Sequence, residues 1–236
     1  MIKHPFRATL AGAALAAGSA VALPALASAS TPPPSFAQAQ QKLEQQLASR
    51  VSQLSRLSSD VTSSTTLTPA HASVLSARLA TESTSINALV AKVPGDTTVQ
   101  ELRADRVAMV QANRVFAVET PQVIEIIEAD SIAAQVTTLT SDEPSLLASV
   151  NSLTGEPGYD NALRHYNSFV AVVGRASTAS GNVVTSVITQ LPSDFPGDTH
   201  VFVTANHALL NADVALAHAS YDEGVIGLAS GGYTGS

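Results

Sequence analysis

The sequence predicts an all-α protein: an elongated bundle of five or six helices around one long central helix that is kinked at a proline. Two observations lead to this prediction. Between Thr97 and Leu139, apolar residues fall on several sides of a helix, whereas a surface helix carries a single apolar stripe. Elsewhere, apolar residues recur three and four positions apart, which is the helical period. A helix that is apolar on most sides needs neighbours to enclose it, so we expect this stretch at the centre.

The N-terminus has the pattern of a secretory signal peptide. Positive charge within the first seven residues precedes an uncharged run rich in Ala and Leu, and two overlapping A-x-A cleavage sites lie within residues 25–29. The alternative is an uncleaved anchor, but the run is shorter than the ~20 residues that a membrane span needs. We therefore expect a secreted or extracytoplasmic protein of the cell envelope. The predicted segments are a signal peptide over 1–27, a Pro-rich spacer over 28–34, a helical bundle domain over 35–226 and a flexible Gly-rich tail over 227–236.

Composition excludes several classes of function. Removing residues 1–27 leaves ten basic against 19 acidic residues, a formal net charge of −9. An acidic chain without a basic cluster argues against nucleic acid as a partner. The absence of cysteine excludes disulfides and a thiolate nucleophile. Only 13% of the residues are charged and 4% aromatic, so the core must be built from many close contacts between small side chains.

The first two helices have clear start signals. Ser35 and Gln38 form a predicted capping box for a helix that runs to about Ser58, and Thr68 with Pro69 predicts the start of a second helix that ends near Lys92. The apolar seam predicted for the first helix consists of Leu43, Leu47, Leu54, Leu57 and Val61, with Arg50 interrupting it. The stripe predicted for the second consists of Leu75, Leu79, Ile86 and Leu89.

The central helix is predicted to follow the turn Pro94-Gly95-Asp96-Thr97, with Asp96 as its cap, and to hinge at Pro121. Residues around this proline are β-branched, so two strands about a turn are the alternative for 115–127. We favour helix, because the apolar pairs beyond Pro121 recur three residues apart instead of alternating.

Three further helices are predicted in the second half of the chain. A short one begins at Ser141 and ends near Leu153, a long one spans 159–190, and the last follows a second Pro-Gly-Asp-Thr turn and ends near Ile226. The seam predicted for the long helix consists of Leu163, Tyr166, Val170, Val173, Ser177, Ser180, Val184, Val187 and Leu191. Its glycines, Gly174 and Gly181, are expected to let a neighbouring backbone approach closely. A strand is the alternative for 182–189. The tetrapeptide Pro-Gly-Asp-Thr occurs at residues 94–97 and again at 196–199. We interpret the repeat as the same turn formed twice; the alternative is an internal duplication of half of the chain.

Histidines on the last helix are the first candidates for a site. His200, His207 and His218 share one face with Asn211 and Asp222, opposite a core stripe of Phe202, Leu209 and Leu216. Their spacing separates them by ~10 and ~16 Å along the axis, too far for one ion. We therefore predict a solvated polar face and no metal site.

Two other groups of polar residues are further candidates for a functional site. The first comprises Arg103, Arg114, Glu119, Glu125, Glu128 and Asp130 on the central helix, which we interpret as charges that are neutralised by partners or emerge into water. The second comprises Tyr159, Asp160, His165 and Tyr166 at one helix start. Neither accompanies a recognisable nucleophile or phosphate-binding motif, so no catalytic or cofactor-binding residue is predicted.

The central stretch also carries a resemblance. The resembling residues are Val93, Asp96-Thr97-Thr98, Arg103-Ala104-Asp105, Asn113-Arg114-Val115-Phe116, Thr120-Pro121-Gln122-Val123, Ala129-Asp130 and, weakly, Phe195-Pro196-Gly197-Asp198. On these residues the chain resembles secreted, Ala-rich helical proteins of high-GC Gram-positive bacteria that have no assigned function. The resemblance implies export and a helical fold, and it implies no activity.

The sequence therefore predicts a protein that acts by binding to a protein surface and not by catalysing a reaction. We expect an exported, non-enzymatic helical protein that packs against itself or another protein at or outside the cell envelope, with no membrane span after cleavage and no cofactor. The alternative is a carrier that holds an apolar small molecule in the bundle core.

Overall fold

The fold, seen in a computed structural model that describes residues 35–111 and 113–231, is an all-α bundle, as predicted. No β-strand occurs within the described residues. The helices are α1 (Phe36–Ser63), α2 (Pro69–Lys92), α3 (Val99–Gln111), α4 (Thr120–Ser152), α5 (Tyr159–Val187) and α6 (Thr199–Ala229). Short 3-10 turns cover Val93–Gly95 and Pro192–Asp194, and a π-helix covers Val115–Glu119. The predicted signal peptide and spacer lie outside the described residues.

The first two helices begin as predicted, but α1 continues to Ser63, beyond its predicted end near Ser58. The Ser35 hydroxyl accepts from the Gln38 amide at 3.3 Å, and the Gln38 side chain accepts from the Ser35 amide at 2.9 Å, which closes the capping box. Thr68 caps α2, with Pro69 in its first turn. All the residues of both predicted apolar stripes are buried. These stripes were predictable because each of the two helices buries a single face.

The centre of the bundle is α4. It packs along α5 and α6 and also contacts α1, while α1 and α2 pack against each other. Its residues Val123, Ile126, Ala129 and Ile132 are completely buried. The predicted central position is therefore confirmed for the part of the stretch that follows Pro121, whereas a single helix over 97–139 is not observed.

The bounds of the central helix need correction. α3 ends at Gln111, and the chain becomes helical again at Val115, where a π-helix leads directly into α4. Pro121 consequently lies in the first turn of α4, where its missing amide N–H costs little. The strand alternative for 115–127 is wrong. Val107 and Val110 on α3 are 50% and 38% exposed, so the enclosed part of the stretch is its second half.

Pro144 does not start a new helix. α4 continues through it to Ser152, so the predicted short helix from Ser141 to Leu153 is the last part of α4. A proline inside a helix costs about 3 kcal/mol. Contacts of α4 with α5 and α6 offset that cost, because the apolar residues Leu146 and Val150 beyond the proline remain buried.

The buried stripe of α5 is rotated from the predicted seam by about one residue. The residues that it buries are Ala162, Phe169, Val172, Val173, Ala176, Ser180, Val183 and Val187. Gly174 and Gly181 are exposed, and a Cβ added at either position would meet no atom within 4 Å. The prediction that a neighbouring backbone approaches closely at these glycines is therefore wrong. The strand alternative for 182–189 is also wrong, since α5 is helical to Val187.

Neither Asp of the repeated Pro-Gly-Asp-Thr turn caps a helix through its side chain. Thr98 and Glu101 cap α3 instead: the Thr98 hydroxyl accepts from the Glu101 amide at 3.2 Å, and the Glu101 carboxylate accepts from the Thr98 amide at 2.9 Å. Asp96 and Asp198 are both buried. Burial, followed by the neighbouring Asp105 carboxyl, raises the pKa of Asp96. α6 also extends to Ala229, beyond the predicted end at Ile226.

Candidate functional site

α6 is apolar on two faces. Its inner face buries Phe202, Leu209 and Leu216 against α4 and α5, as predicted. A second face, about 100° around the helix from these three residues, carries another series of positions that alternate by four and three residues. We call this series the outer stripe, and it consists of Val203, His207, Leu210, Val214, Ala217, Tyr221, Gly224 and Leu228. Alternation by four and three is the spacing of a seam that pairs with another helix.

The large residues of the outer stripe are exposed to a degree that is unusual for apolar side chains on a packed helix. The exposed fraction is 53% for Val203 and Leu210, 70% for Val214, 61% for Tyr221 and 66% for Leu228. Contiguous apolar patches of this kind mark contact surfaces in soluble proteins. Along α6 the stripe extends over ~38 Å at 1.5 Å per residue.

Tyr221 is the aromatic residue of the outer stripe, and two histidines hold its ring. The His165 ring meets it edge to face with a centroid separation of 5.9 Å, and the His218 ring lies at 6.4 Å. The Nδ1 atom of His165 is itself 2.7 Å from a carboxylate oxygen of Asp222, which is fully buried between α5 and α6. These contacts orient the exposed Tyr221 ring in the isolated chain.

The predicted polar face of α6 is therefore only partly solvated. His200 lies at the start of α6, with its Nδ1 atom 2.6 Å from the Gly197 carbonyl oxygen, and His207 is exposed. Asp222 was expected on the same solvated face but is buried, because His165 of α5 reaches it. Among the described residues no group of His, Asp or Glu has the geometry of a metal site.

A cluster of buried charges lies where α2, the start of α4 and the end of α5 meet. Arg78 donates hydrogen bonds to the Gln122 side chain and to the carbonyl oxygens of Gln190 and Ile188. Gln122 also donates to the Val187 carbonyl at 2.7 Å. This network connects three helices through their polar groups.

Two glutamates face this cluster from the core. Glu119 is fully buried, and neither of its carboxyl oxygens accepts a hydrogen bond from a described residue. Burial raises the pKa of Glu119 to about 7, while attraction to Arg78 lowers it and repulsion from Glu82 raises it by smaller amounts. Burial also raises the pKa of Glu82. A carboxyl group that is neutral near pH 7 relieves the cost of burying a charge there.

The remaining charges of the central stretch are dispersed. The Asp130 carboxylate accepts from the Thr68 amide at 2.8 Å and lies 2.8 Å from the His71 Nδ1 atom, so it fixes the start of α2. Burial, with the Glu128 charge as a smaller cause, raises the pKa of Glu125 to about 8. Arg103 is exposed. These residues do not converge on one site.

Arg114 packs against an aromatic ring. Its guanidinium carbon lies 4.4 Å from the centroid of the Phe195 ring. Asp198 is buried nearby and interacts with Arg114 electrostatically, but no described donor hydrogen-bonds its carboxylate. The cation–π contact connects the start of the π-helix to the loop before α6.

The polar residues at the start of α5 also do not form one cluster. Tyr166 donates to the Glu143 carboxylate of α4 at 3.1 Å, His165 turns to Asp222, and Asp160 is exposed. The sequence could not show these pairings, since each joins residues at least 23 positions apart.

Two open grooves accompany the helix pairs. One of about 270 Å³ lies between α1 and α2 and is lined by Leu47, Val51 and Val90 among others. One of about 690 Å³ lies between α5 and α6, beside the outer stripe, and is lined mainly by small residues such as Ala171, Gly174 and Ala208. Both open to the surface instead of lying inside the core.

No protein-family model, no curated protein and no solved structure matches the chain. Within the described part of the chain, no helix combines the length and the hydrophobicity that a bilayer crossing needs.

Proposed function

We propose that the protein is exported and acts without catalysis, by contacting a protein at or outside the cell envelope through the outer stripe of α6. The observation that carries the proposal is the exposed apolar seam at alternating four- and three-residue spacing, from Val203 to Leu228. A seam of this spacing pairs with the apolar seam of another helix. The partner surface is therefore expected to be an amphipathic helix.

The carrier alternative has less support. A carrier would enclose its apolar ligand, and ligand pockets of ≈ 300–1,000 Å³ bury most of the ligand surface. The groove of about 690 Å³ between α5 and α6 has that volume but is open along the surface. It is better suited to flank a helix that lies on α6.

Site-specific photo-crosslinking in the producing cells tests the proposal. A photoreactive residue at Leu210 is expected to give a discrete protein adduct in the envelope or medium, and one at Val107 is not. Val107 is a matched control because it is 50% exposed, close to the 53% of Leu210, but lies on α3. Equal labelling from both positions, or none from Leu210, would reject the outer stripe as the contact surface.

Export is tested on the same material. The N-terminal sequence of the protein recovered from the medium or envelope is expected to begin after one of the two A-x-A sites, Ala25-Leu26-Ala27 or Ala27-Ser28-Ala29. Recovery of the intact N-terminus from the cytoplasm alone would contradict export.

A further inference from the structure

We propose that the outer stripe binds the outer stripe of a second copy of this chain, with the two α6 helices antiparallel about a twofold axis between Val214 and Ala217. This inference rests on the proposed function, because it names the occupant of the same surface. A twofold axis requires a surface that is complementary to itself. The outer stripe meets this requirement in spacing, side-chain size and charge.

The first argument is the register. With the axis between Val214 and Ala217, every position of the stripe in one copy faces another position of the stripe in the second copy. The facing pairs are Val214 with Ala217, Leu210 with Tyr221, His207 with Gly224, and Val203 with Leu228. Each pair occurs twice, as it must in an isologous interface. No stripe position is left facing a residue outside the stripe.

The second argument is size. His207 meets Gly224, and Val214 meets Ala217, so a larger side chain faces a small one at four of the eight contacts. Leu210 faces Tyr221, whose ring is already oriented by contacts with His165 and His218. Large residues that face small ones let two helices approach closely and interdigitate, which is how packed interfaces reach the density of protein interiors.

The third argument is charge. The chain without residues 1–27 carries a formal net charge of −9, which opposes self-association unless the contact is uncharged. α6 contains no Lys or Arg, and its three carboxylates are absent from the stripe. In the proposed register, Asp213 beside the stripe faces Ser220 of the second copy, and His218 faces Asn211. No two acidic residues oppose each other across the axis.

The fourth argument is area. The exposed fractions of the five large stripe residues correspond to roughly 600 Å² per copy, against about 800 Å² per partner in a standard interface. Flanking residues such as Thr204 and Asn211, together with the small residues of the stripe, supply the remainder. The contact is thus large enough for a stable dimer.

Analytical ultracentrifugation of the full exported chain tests whether it forms a dimer. The wild-type protein is expected to sediment as a dimer at micromolar concentration. The double variant Leu210→Glu/Val214→Glu is expected to raise the dimer Kd by about 100-fold or more, because it places charges in the desolvated centre of the interface. Both positions are exposed in the monomer, so circular dichroism should show unchanged helix content. Val107→Glu is the matched control and should leave the Kd unchanged.

Disulfide trapping tests the register. The chain has no native cysteine, so every disulfide must form between the introduced cysteines. A mixture of Leu210→Cys and Tyr221→Cys chains with different mass tags is expected to give the mixed disulfide, because these positions face each other. Neither variant alone should crosslink, since the two copies of Leu210 would be ~16 Å apart along the helix axis.

The outcomes separate this inference from the proposed function. Homodimeric disulfides without the mixed one would overturn the antiparallel register. A wild-type monomer at 100 μM would overturn self-association; if Leu210 still crosslinked to a different protein in cells, the proposed function would stand. A dimer that the double glutamate variant leaves intact would overturn the stripe as the dimer interface.

Discussion

At the level of individual residues, buried carboxyl groups are expected to make the stability of this protein depend on pH. Glu119 and Glu125 lie on consecutive helical segments at the centre of the bundle, and burial raises the pKa values to about 7 and about 8. No described residue donates a hydrogen bond to either carboxyl oxygen of Glu119 or to Oε2 of Glu125, so burial of the charged forms is poorly compensated. Both groups are therefore expected to be at least partly neutral in the folded protein at pH 7.

Glu119→Gln tests this effect. The folded pKa of Glu119 is above the value of 4.5 for an exposed Glu, so the unfolded chain releases its proton first as pH rises. The free energy of unfolding consequently falls between pH 4.5 and 7, by at most about 1.4 kcal/mol per pH unit for this group. Gln cannot ionise, so we expect the variant to exceed the wild type by up to about 3 kcal/mol at pH 8 and to differ little at pH 4.

Urea denaturation at the two pH values provides the measurement. Glu156→Gln is the control, since Glu156 is exposed and should show the same small change at both pH values. A Glu119→Gln effect of equal size at pH 4 and pH 8 would indicate altered packing and would contradict the raised pKa.

At the level of the helices, the two prolines of α4 are expected to have opposite effects on helix stability. Pro121 lies in the first turn, directly after a π-helix whose last bond runs from the Thr120 amide to the Val115 carbonyl. Pro144 lies inside the helix, where it removes a backbone hydrogen bond. Sequence patterns identify both residues as breakers, but only the packing of α4 against α5 and α6 shows that the helix continues through the second.

Pro144→Ala is expected to stabilise the protein by about 1–3 kcal/mol, because it restores the amide donor and relieves the clash with the preceding turn. Pro121→Ala is the matched control and should be neutral or slightly destabilising, since proline is favourable in a first turn. Thermal unfolding followed by circular dichroism gives both values. A Pro144→Ala variant that unfolds at a lower temperature than the wild type would show that a local bend at Pro144 is required for packing.

For the whole molecule, Arg78 provides a polar connection between the helix pair α1–α2 and the group formed by α4, α5 and α6. Its guanidinium binds Gln122 of α4 and two carbonyls after the last turn of α5, and its charge acts on Glu82 and Glu119. Removing this side chain is costly, because part-buried acceptors then lose a donor that water can replace only in part.

Arg78→Ala is therefore expected to lower the free energy of unfolding by about 3 kcal/mol or more. The free energy of unfolding of Arg78→Lys should lie between those of Arg78→Ala and the wild type, since an ammonium group cannot bind all three acceptors in the same geometry. The urea midpoint of each variant, compared with Arg56→Ala at an exposed position of α1, gives the measurement. A change within 0.5 kcal/mol of this control would refute the connecting role.

The proposed contact surface of α6 also follows from packing and not from a local pattern. Phe202, Leu209 and Leu216 were predicted as its core stripe and are buried. Val203, Leu210 and Val214 have an equally regular spacing in the sequence, but they were not predicted as a site. When a helix is apolar on two faces, only the positions of its neighbours show which face remains exposed.

Sequence patterns are sufficient to predict the helical class, the capped starts of α1 and α2, and the core residues of these helices, because caps and a single apolar stripe depend on residues a few positions apart. It did not determine the continuity of α4 through Pro144, the rotation of the α5 stripe, or the pairings of His71 with Asp130 and His165 with Asp222. Each of these depends on contacts between helices that are distant in the chain. Packing between helices can outweigh a local preference of about 1–3 kcal/mol, so these features become visible only once the helices are packed.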